Sequence, residues 1–222
     1  MEKSYRYLSI ISIFFVVIFL ISNIVSAKIV DLRYFVFDAG TLLFPLSYIF
    51  GDILTEVYGY HRSRQVIWLG FFSALLMSLA FIIVGKLPPA ADWPNQAAYE
   101  AILGLTPRIV AASLVAYFCG AFLNSFVLAK LKVWTRGRYL WLRTIGSTVG
   151  GELVDSLLFV LIAFVGILPP SLLVTLIISN YVFKTLVEIL FTPLTYRAIA
   201  FLKQREREDF YDEQTDFNPF SN

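Results

Sequence analysis

Six stretches of this 222-residue chain are apolar enough, and long enough, to be membrane-spanning helices. A helix that crosses the hydrocarbon core of a bilayer needs roughly 20 mostly apolar residues. Hydrophobic residues make up 58% of the chain and charged residues 15%, which is less charge than a soluble domain carries. The sequence therefore predicts an all-α membrane protein with six transmembrane helices. They cover about residues 7–27, 41–58, 66–85, 108–129, 145–168 and 172–194.

Charged side chains interrupt three of these apolar runs. A charge in the hydrocarbon core is costly, so it normally faces a protein interior or a water-filled cavity. The charges come in pairs spaced three or four residues apart, which places both members of a pair on one helix face. Counting 1.5 Å per residue puts the pairs at similar depths, so we expect them to surround one polar pocket. The six residues are Asp52 and Glu56, Glu152 and Asp155, and Lys184 and Glu188.

A structural role is the alternative for these charges, because buried ion pairs also fix the register of helices. Lys184 can neutralise one or two carboxylates, but the remaining carboxylates must take up protons or bind a ligand. Glu56 and Glu188 are near enough to the cytoplasmic face to extend into water instead. Asn180 and Tyr181 precede Lys184 by four and three residues, so they share its helix face and are further candidates for the pocket.

Small residues recur every four positions along the fourth and fifth runs. Such stripes let two helix backbones approach closely. The partner helix belongs either to the same chain or to a second copy, which makes the stripes a candidate interface of a homo-oligomer. Asn124 ends the first stripe and can point its amide at the pocket. The stripes are Ala112, Ala116, Gly120 and Asn124, followed by Gly146 and Gly150.

The distribution of basic residues predicts the topology. With six spans and a cytoplasmic N-terminus, thirteen of the 18 Lys and Arg residues lie in cytoplasmic segments. The positive-inside rule therefore places both termini in the cytoplasm. Residues 1–202 form the transmembrane domain in this interpretation, and residues 203–222 form a charged, disordered tail. The segment Ile29–Gly40 is either an extended gate over the pocket mouth or a plain interfacial loop.

Several function classes find no support in the sequence. The chain has no phosphate-binding loop for ATP hydrolysis, and no basic patch that alternates with aromatic residues to bind nucleic acid. A membrane-embedded enzyme would need a nucleophile with its base or a set of metal ligands, and His61 is the single histidine. We therefore predict no enzymatic activity, no cofactor and no nucleic-acid partner. The expected partners are the lipid bilayer and a polar small molecule.

Three motifs carry a resemblance to a known family. They are PLSYIFGDILTEVYGY at residues 45–60, GSTVGGELVDS at residues 146–156 and NYVFKTLVEILFTP at residues 180–193. Together they resemble the queuosine precursor transporter family, which is also described as vitamin-uptake-transporter-like. The resemblance covers about residues 1–200. It implies a six-helix layout similar to that of the substrate-binding subunits of energy-coupling-factor importers.

The resemblance implies import of a 7-deazaguanine, the 7-cyano or 7-aminomethyl precursor of the tRNA base queuosine, across the inner (cytoplasmic) membrane. A guanine-like ring shows an N–H and an amino group side by side, and one carboxylate accepts both hydrogen bonds. We predict that Asp155 and Glu152 bind these donors and that Asp52, Lys184 and Asn124 organise the site. The alternative function is the substrate-binding subunit of an energy-coupling-factor vitamin importer, which depends on a separate ATPase. The aromatic candidates for stacking on the ring are Tyr48, Phe50, Phe159 and Tyr181.

Overall fold

The computed structural model describes residues 5–26, 28–31, 36–104, 106–166, 169–218 and 220, so Lys3 and Arg33 of the charge count fall outside it. This part of the chain is predominantly helical, as predicted. Two short strands, β1 (Ile29–Asp31) and β2 (Val36–Asp38), form an antiparallel pair. The helices are α1 (Leu8–Val25), α2 (Phe44–Tyr58), α3 (Tyr60–Gly85), α4 (Gln96–Tyr99), α5 (Thr106–Trp134), α6 (Leu140–Phe164) and α7 (Pro170–Glu206).

Five of the helices in the described residues, α1, α3, α5, α6 and α7, are long and apolar enough to cross a membrane. The second predicted span differs, because a 3-10 turn over Ala39–Leu42 precedes a 15-residue α2. At 1.5 Å per residue α2 is about 22 Å long, which is less than the hydrocarbon core of about 30 Å. Thirteen of its 15 residues are buried, so α2 is an interior helix enclosed by the others. The six-span count remains a prediction.

Four helices extend beyond the apolar runs that predicted them. The helix α3 already begins at Tyr60 and α6 at Leu140, while α5 continues to Trp134 and α7 reaches Glu206. An apolar count stops at the first cluster of charges, whereas Lys, Arg and Glu are themselves good helix formers. At the other junction a single residue, Gly59, separates α2 from α3, and its φ of 88° is one that glycine adopts without strain.

The helices α5 and α6 approach each other through glycine. A Cβ atom on Gly120 would lie 2.8 Å from the carbonyl oxygen of Gly151, and one on Gly151 would lie 2.9 Å from that of Gly120. Ala112 and Ala116 of the same stripe are completely buried within the chain. The stripe on α5 is therefore used for packing inside the chain and is not free to form an oligomer interface. Around Gly150 of the second stripe there is open space.

The two strands pack at the end of the protein where α1 ends and α2 begins. Phe37 of β2 stacks on Phe183 of α7, with ring centroids 5.1 Å apart. Asp38 accepts hydrogen bonds from Ser26 Oγ at 2.7 Å and from Thr41 Oγ1 at 2.8 Å. The strand pair thus connects the end of α1, the start of α2 and the side of α7. We call this end of the protein the strand side.

The opposite end, where α2, α5 and α7 finish, is the tail side. The backbone N–H of Tyr7, just before α1, donates to Glu206 Oε1 at 2.6 Å, and that of Arg6 donates to Oε2 at 3.1 Å. The start of α1 and the end of α7 therefore lie together on one side of the protein. This agrees with termini on the same side, while their cytoplasmic orientation stays a prediction.

The C-terminal tail after Glu206 contacts the helices, although its composition predicts disorder. Asp212 is only 2% exposed and accepts the backbone N–H of Tyr60 at 3.1 Å. Lys132 Nζ donates to the carbonyl oxygen of Phe210 at 2.6 Å, and Phe217 packs on the Tyr60 ring. The charge-rich composition of the tail did not indicate these contacts. Residues 219, 221 and 222 lie outside the described part of the tail.

Candidate functional site

An ion-paired group joins α6 and α7 in the middle of the protein. Lys184 Nζ donates to Asp155 Oδ2 and lies 3.3 Å from Glu152 Oε2. All three side chains are buried, and the Phe44 ring centroid lies 5.1 Å from the ammonium nitrogen. The predicted pairing of Lys184 with two carboxylates is therefore confirmed. We call Lys184, Asp155 and Glu152 the Lys184 cluster.

A second group joins α2, α5 and α7. Asn124 Nδ2 donates to Asp52 Oδ1 at 2.6 Å, and Glu188 of α7 is a neighbour of Asp52. Among the described residues, no donor reaches Asp52 Oδ2 or either oxygen of Glu188. Glu188 is 1% exposed, so the alternative in which it extends into water is wrong. We call Asp52 and Glu188 the carboxyl pair.

Glu56 belongs to a separate group on the tail side. Its carboxylate accepts hydrogen bonds from Arg143 Nη2 at 2.6 Å and Nε at 3.2 Å, and from Lys203 Nζ at 2.7 Å. Lys132 Nζ lies 3.7 Å away and binds Asp209 of the tail at 2.6 Å. Glu56 is fully buried, so the alternative of an extended, solvated side chain is wrong here too. These five residues are the Glu56 cluster.

The sequence prediction of the site did not include the cations of the Glu56 cluster. They entered only the count of basic residues that predicted the topology. One signal for Lys132 was present, because it follows Asn124 by eight residues and therefore shares its helix face. Arg143 was assigned to a loop before the fifth span, but the structure places it in the first turn of α6. The helix boundary decided whether this arginine could reach the interior.

A small cavity of about 10 Å³ lies beside the Lys184 cluster on the strand side. This is about the space that one water molecule needs, so the site is closed in this structure. The predicted Asn180 lines the cavity, and its Oδ1 has no hydrogen-bond partner within the described chain. Tyr181 is half-buried and is not among the lining residues. They are Asp38, Phe44, Ser113, Asp155, Phe159, Asn180 and Lys184.

Asp38 links this cavity to the strand pair, because β2 ends at this residue. The strand pair therefore lies at the cavity wall, and residues 32–35 of the segment lie outside the described part of the chain. Of the four aromatic candidates, Phe159 lines the cavity, whereas Tyr48 packs on Tyr117 and Phe50 on Phe14. Phe44 was not predicted.

Several buried hydroxyl groups around these clusters also have no hydrogen-bond partner among the described residues. In folded proteins the large majority of buried polar groups are hydrogen-bonded, so a concentration of unpaired ones indicates a site for ligand or water. Sequence reasoning missed them, although Thr148, Glu152 and Ser156 recur every four residues along α6. The hydroxyl groups belong to Ser47, Tyr48, Thr148, Ser156 and Thr185.

A larger cavity of about 740 Å³ lies elsewhere on the strand side. Its lining is almost entirely aliphatic, so it lacks the acceptors needed to recognise a polar ligand. We therefore place the candidate site at the Lys184 cluster. The lining residues of the larger cavity are Ile24, Val25, Lys28, Ala39, Leu42, Leu43 and Ile102.

Comparison with known proteins identifies the family. The family model described as "Putative vitamin uptake transporter" matches residues 38–198, which include all three clusters except Lys203 and Asp209. "Probable queuosine precursor transporter" of Bacillus subtilis (strain 168) is 32% identical over 189 residues, 84% of this chain and 82% of that protein. "Queuosine precursor transporter" of Escherichia coli (strain K12) is 27% identical over 193 residues, 85% of this chain and 84% of that protein.

No solved structure matches the chain, so its likeness to energy-coupling-factor subunits stays a prediction. The family and its relatives are transporters and not enzymes. Several helices of the described chain are long and apolar enough to span a bilayer, as a transporter requires. The chain therefore belongs to the vitamin uptake transporter family, and it is a multi-pass membrane transporter.

Proposed function

We propose that this protein imports a queuosine precursor, 7-cyano- or 7-aminomethyl-7-deazaguanine, through the inner (cytoplasmic) membrane. The observation that carries the proposal is the Lys184 cluster, in which two buried carboxylates adjoin a closed cavity. The names of the relatives support the same class of substrate. The protein works as a transporter with both termini in the cytoplasm.

Recognition of the ring uses the acceptors of the cluster. The ring N–H and its neighbouring amino group are two parallel donors, and a carboxylate accepts both in a short, charge-assisted pair. Asp155 supplies this carboxylate in our proposal, and Asn180 offers an additional acceptor in Oδ1. Lys184 already lies 3.3 Å from Glu152, so it retains a carboxylate partner when the precursor takes Asp155. The exchange leaves no buried cation unpaired.

Binding also requires the cavity to enlarge, because about 10 Å³ cannot hold a two-ring heterocycle. The strand pair is the part that moves in our proposal, since Asp38 of β2 is a cavity wall and joins the body mainly through short side-chain contacts. Phe44 and Phe159 then flank the ring, where flat faces stack favourably. Asp52 and Asn124 support the site from the tail side.

The test is uptake of both labelled precursors by proteoliposomes that contain only this protein. Wild type accumulates one of them inside the vesicles. Asp155→Asn replaces an acceptor by a donor and loses a charge-assisted bond of about 1.5–3 kcal/mol, which weakens binding about 10- to 150-fold. Asp92→Asn, on an exposed loop, is the matched control and transports normally. Normal uptake by a folded Asp155→Asn protein would remove this residue from the site.

The alternative is a substrate-binding subunit of an energy-coupling-factor vitamin importer, and the family description supports it only in naming a vitamin as the substrate. Such a subunit needs an ATPase module to complete transport. Uptake by the purified protein alone, without ATP, excludes this alternative. Absence of uptake for both precursors, together with an ATPase module that copurifies, rejects the proposed function in its favour.

A further inference from the structure

The carboxyl pair poses a charge problem that the Lys184 cluster does not. Asp52 and Glu188 are neighbours that are 0% and 1% exposed, and three of their four carboxyl oxygens have no hydrogen-bond partner among the described residues. Two ionised carboxylates contain acceptors only, so they cannot hydrogen-bond to each other. A single proton resolves this, because a protonated carboxyl group donates to an ionised one. Like-charged carboxylates that share a site commonly hold a proton for this reason.

The surrounding groups do not provide another counter-charge. Glu152 of α6 is a neighbour of Glu188, and Glu56 of α2 is a neighbour of Asp52. Both neighbours are acidic residues, so neither supplies a positive charge to the carboxyl pair. From α5, Asn124 donates to one oxygen of Asp52 and is neutral. On α7 the ammonium group of Lys184 is engaged by the two carboxylates of its own cluster.

The remaining nearby cations are also engaged elsewhere. The basic side chains of the Glu56 cluster converge on Glu56 and Asp209, at distances of 2.6–3.7 Å. No ion pair within the described residues includes either member of the carboxyl pair. A proton is therefore the ligand that we assign to this pair, because three of its four buried oxygens have no hydrogen-bond donor among the described residues.

We propose that the carboxyl pair is a proton-binding site that holds one proton in this closed conformation and releases it to water when the transporter opens. The O–H bond of one carboxyl group breaks on opening, the proton passes to a water molecule, and both carboxylates are then hydrated. Closure reverses the step and takes one proton from water. Buried ionisable residues in transporters commonly serve such steps.

The proton itself can be tested without any transport substrate. Purified protein is unfolded in weakly buffered solution near neutral pH, and a pH indicator reports the protons released. Because both groups are ionised in the unfolded chain, wild type releases about one proton more than Glu188→Gln or Asp52→Asn. Glu100→Gln, on the exposed segment after α4, is the matched control and releases as many protons as wild type. Equal release from wild type and both pair variants overturns the proposal.

A second measurement keeps the proposal falsifiable if those variants fail to fold. Without any variant for comparison, wild type should show the infrared C=O stretch of a buried protonated carboxyl group. Its ratio of folded to unfolded protein should also fall, by up to about tenfold per pH unit, as the pH rises above the ordinary carboxyl range. Lack of the band overturns the proposal. A stability that rises with sodium and is indifferent to pH also overturns it, because the pair would then bind a metal cation.

The role in transport rests on the proposed function, and uptake assays address it separately. Glu188→Gln mimics the protonated state, so its uptake should lose the decline at alkaline pH that wild type shows. Absence of any uptake by wild type would reject the proposed function and leave the proton-release result standing. If wild type releases the proton on unfolding but its uptake does not depend on pH, the proton only stabilises the closed state. That result would overturn its role in opening.

Discussion

Removal of the Lys184 ammonium group tests the charge balance at the centre of this protein. Lys184→Met retains an unbranched side chain of similar length and leaves Asp155 and Glu152 buried without their cation. Removal of one partner from a buried ion pair costs about 3–5 kcal/mol. For a chain of this size each kcal/mol lowers the melting temperature by about 2–4 °C. We therefore expect the variant to melt about 6–20 °C below wild type at neutral pH.

The pH dependence of that difference identifies its cause. The cost arises from surplus negative charge, so it decreases as the pH falls and one of the two carboxyl groups takes up a proton. The measurement is the melting temperature of ligand-free variant minus that of wild type, from neutral to acidic pH. Lys86→Met, at the exposed end of α3, is the matched control and should change the stability by less than about 0.5 kcal/mol. A difference of zero at every pH would refute the charge-balance role.

Three further predictions concern packing, the tail and topology. Gly151→Ala places a methyl group 2.9 Å from the α5 backbone and should destabilise the protein by about 1–3 kcal/mol, whereas Gly150→Ala meets open space and should melt like wild type. Burial tends to raise the pKa of Asp209, but hydrogen bonds from Lys132 and Lys203 outweigh it and lower the pKa. The attachment of the tail by Asp209 is therefore complete above the unfolded value of about 3.9 and is lost as the pH falls through the folded value, which limited proteolysis of the tail should detect. Asp209→Asn should abolish this pH dependence, and an unchanged profile would contradict it. A reporter fused to the C-terminus should be active only as a cytoplasmic fusion, and activity outside the cell would contradict the six-span topology.

The helical character of the chain and the presence of a polar centre could be predicted from the sequence. An apolar run of about 20 residues is typical of a helix that spans a membrane. The charges within those runs indicated an interior site, and the spacing of Asn180, Lys184 and Glu188 placed them on one face of one helix. These are properties of neighbours along the chain, which a single sequence displays directly.

The division of the charges into three clusters could not be predicted in the same way. Asp52 and Glu56 share a helix and a face, yet Asp52 meets Glu188 while Glu56 meets Arg143 and Lys203. Each partner comes from a distant part of the chain, more than 80 residues away. The spacing along α2 contains no information about which cation reaches which carboxylate.

The sequence by itself determined that most of this chain must be helical and membrane-embedded, because burial of apolar surface and of backbone hydrogen bonds depends on local composition. Only the tertiary structure decided that α2 is a short interior helix, that the strand pair adjoins the cavity and that the tail binds Lys132. These outcomes depend on how the helices are rotated and how closely they approach. Close contacts such as that between Gly120 and Gly151 set this geometry, and they form only when the whole chain packs.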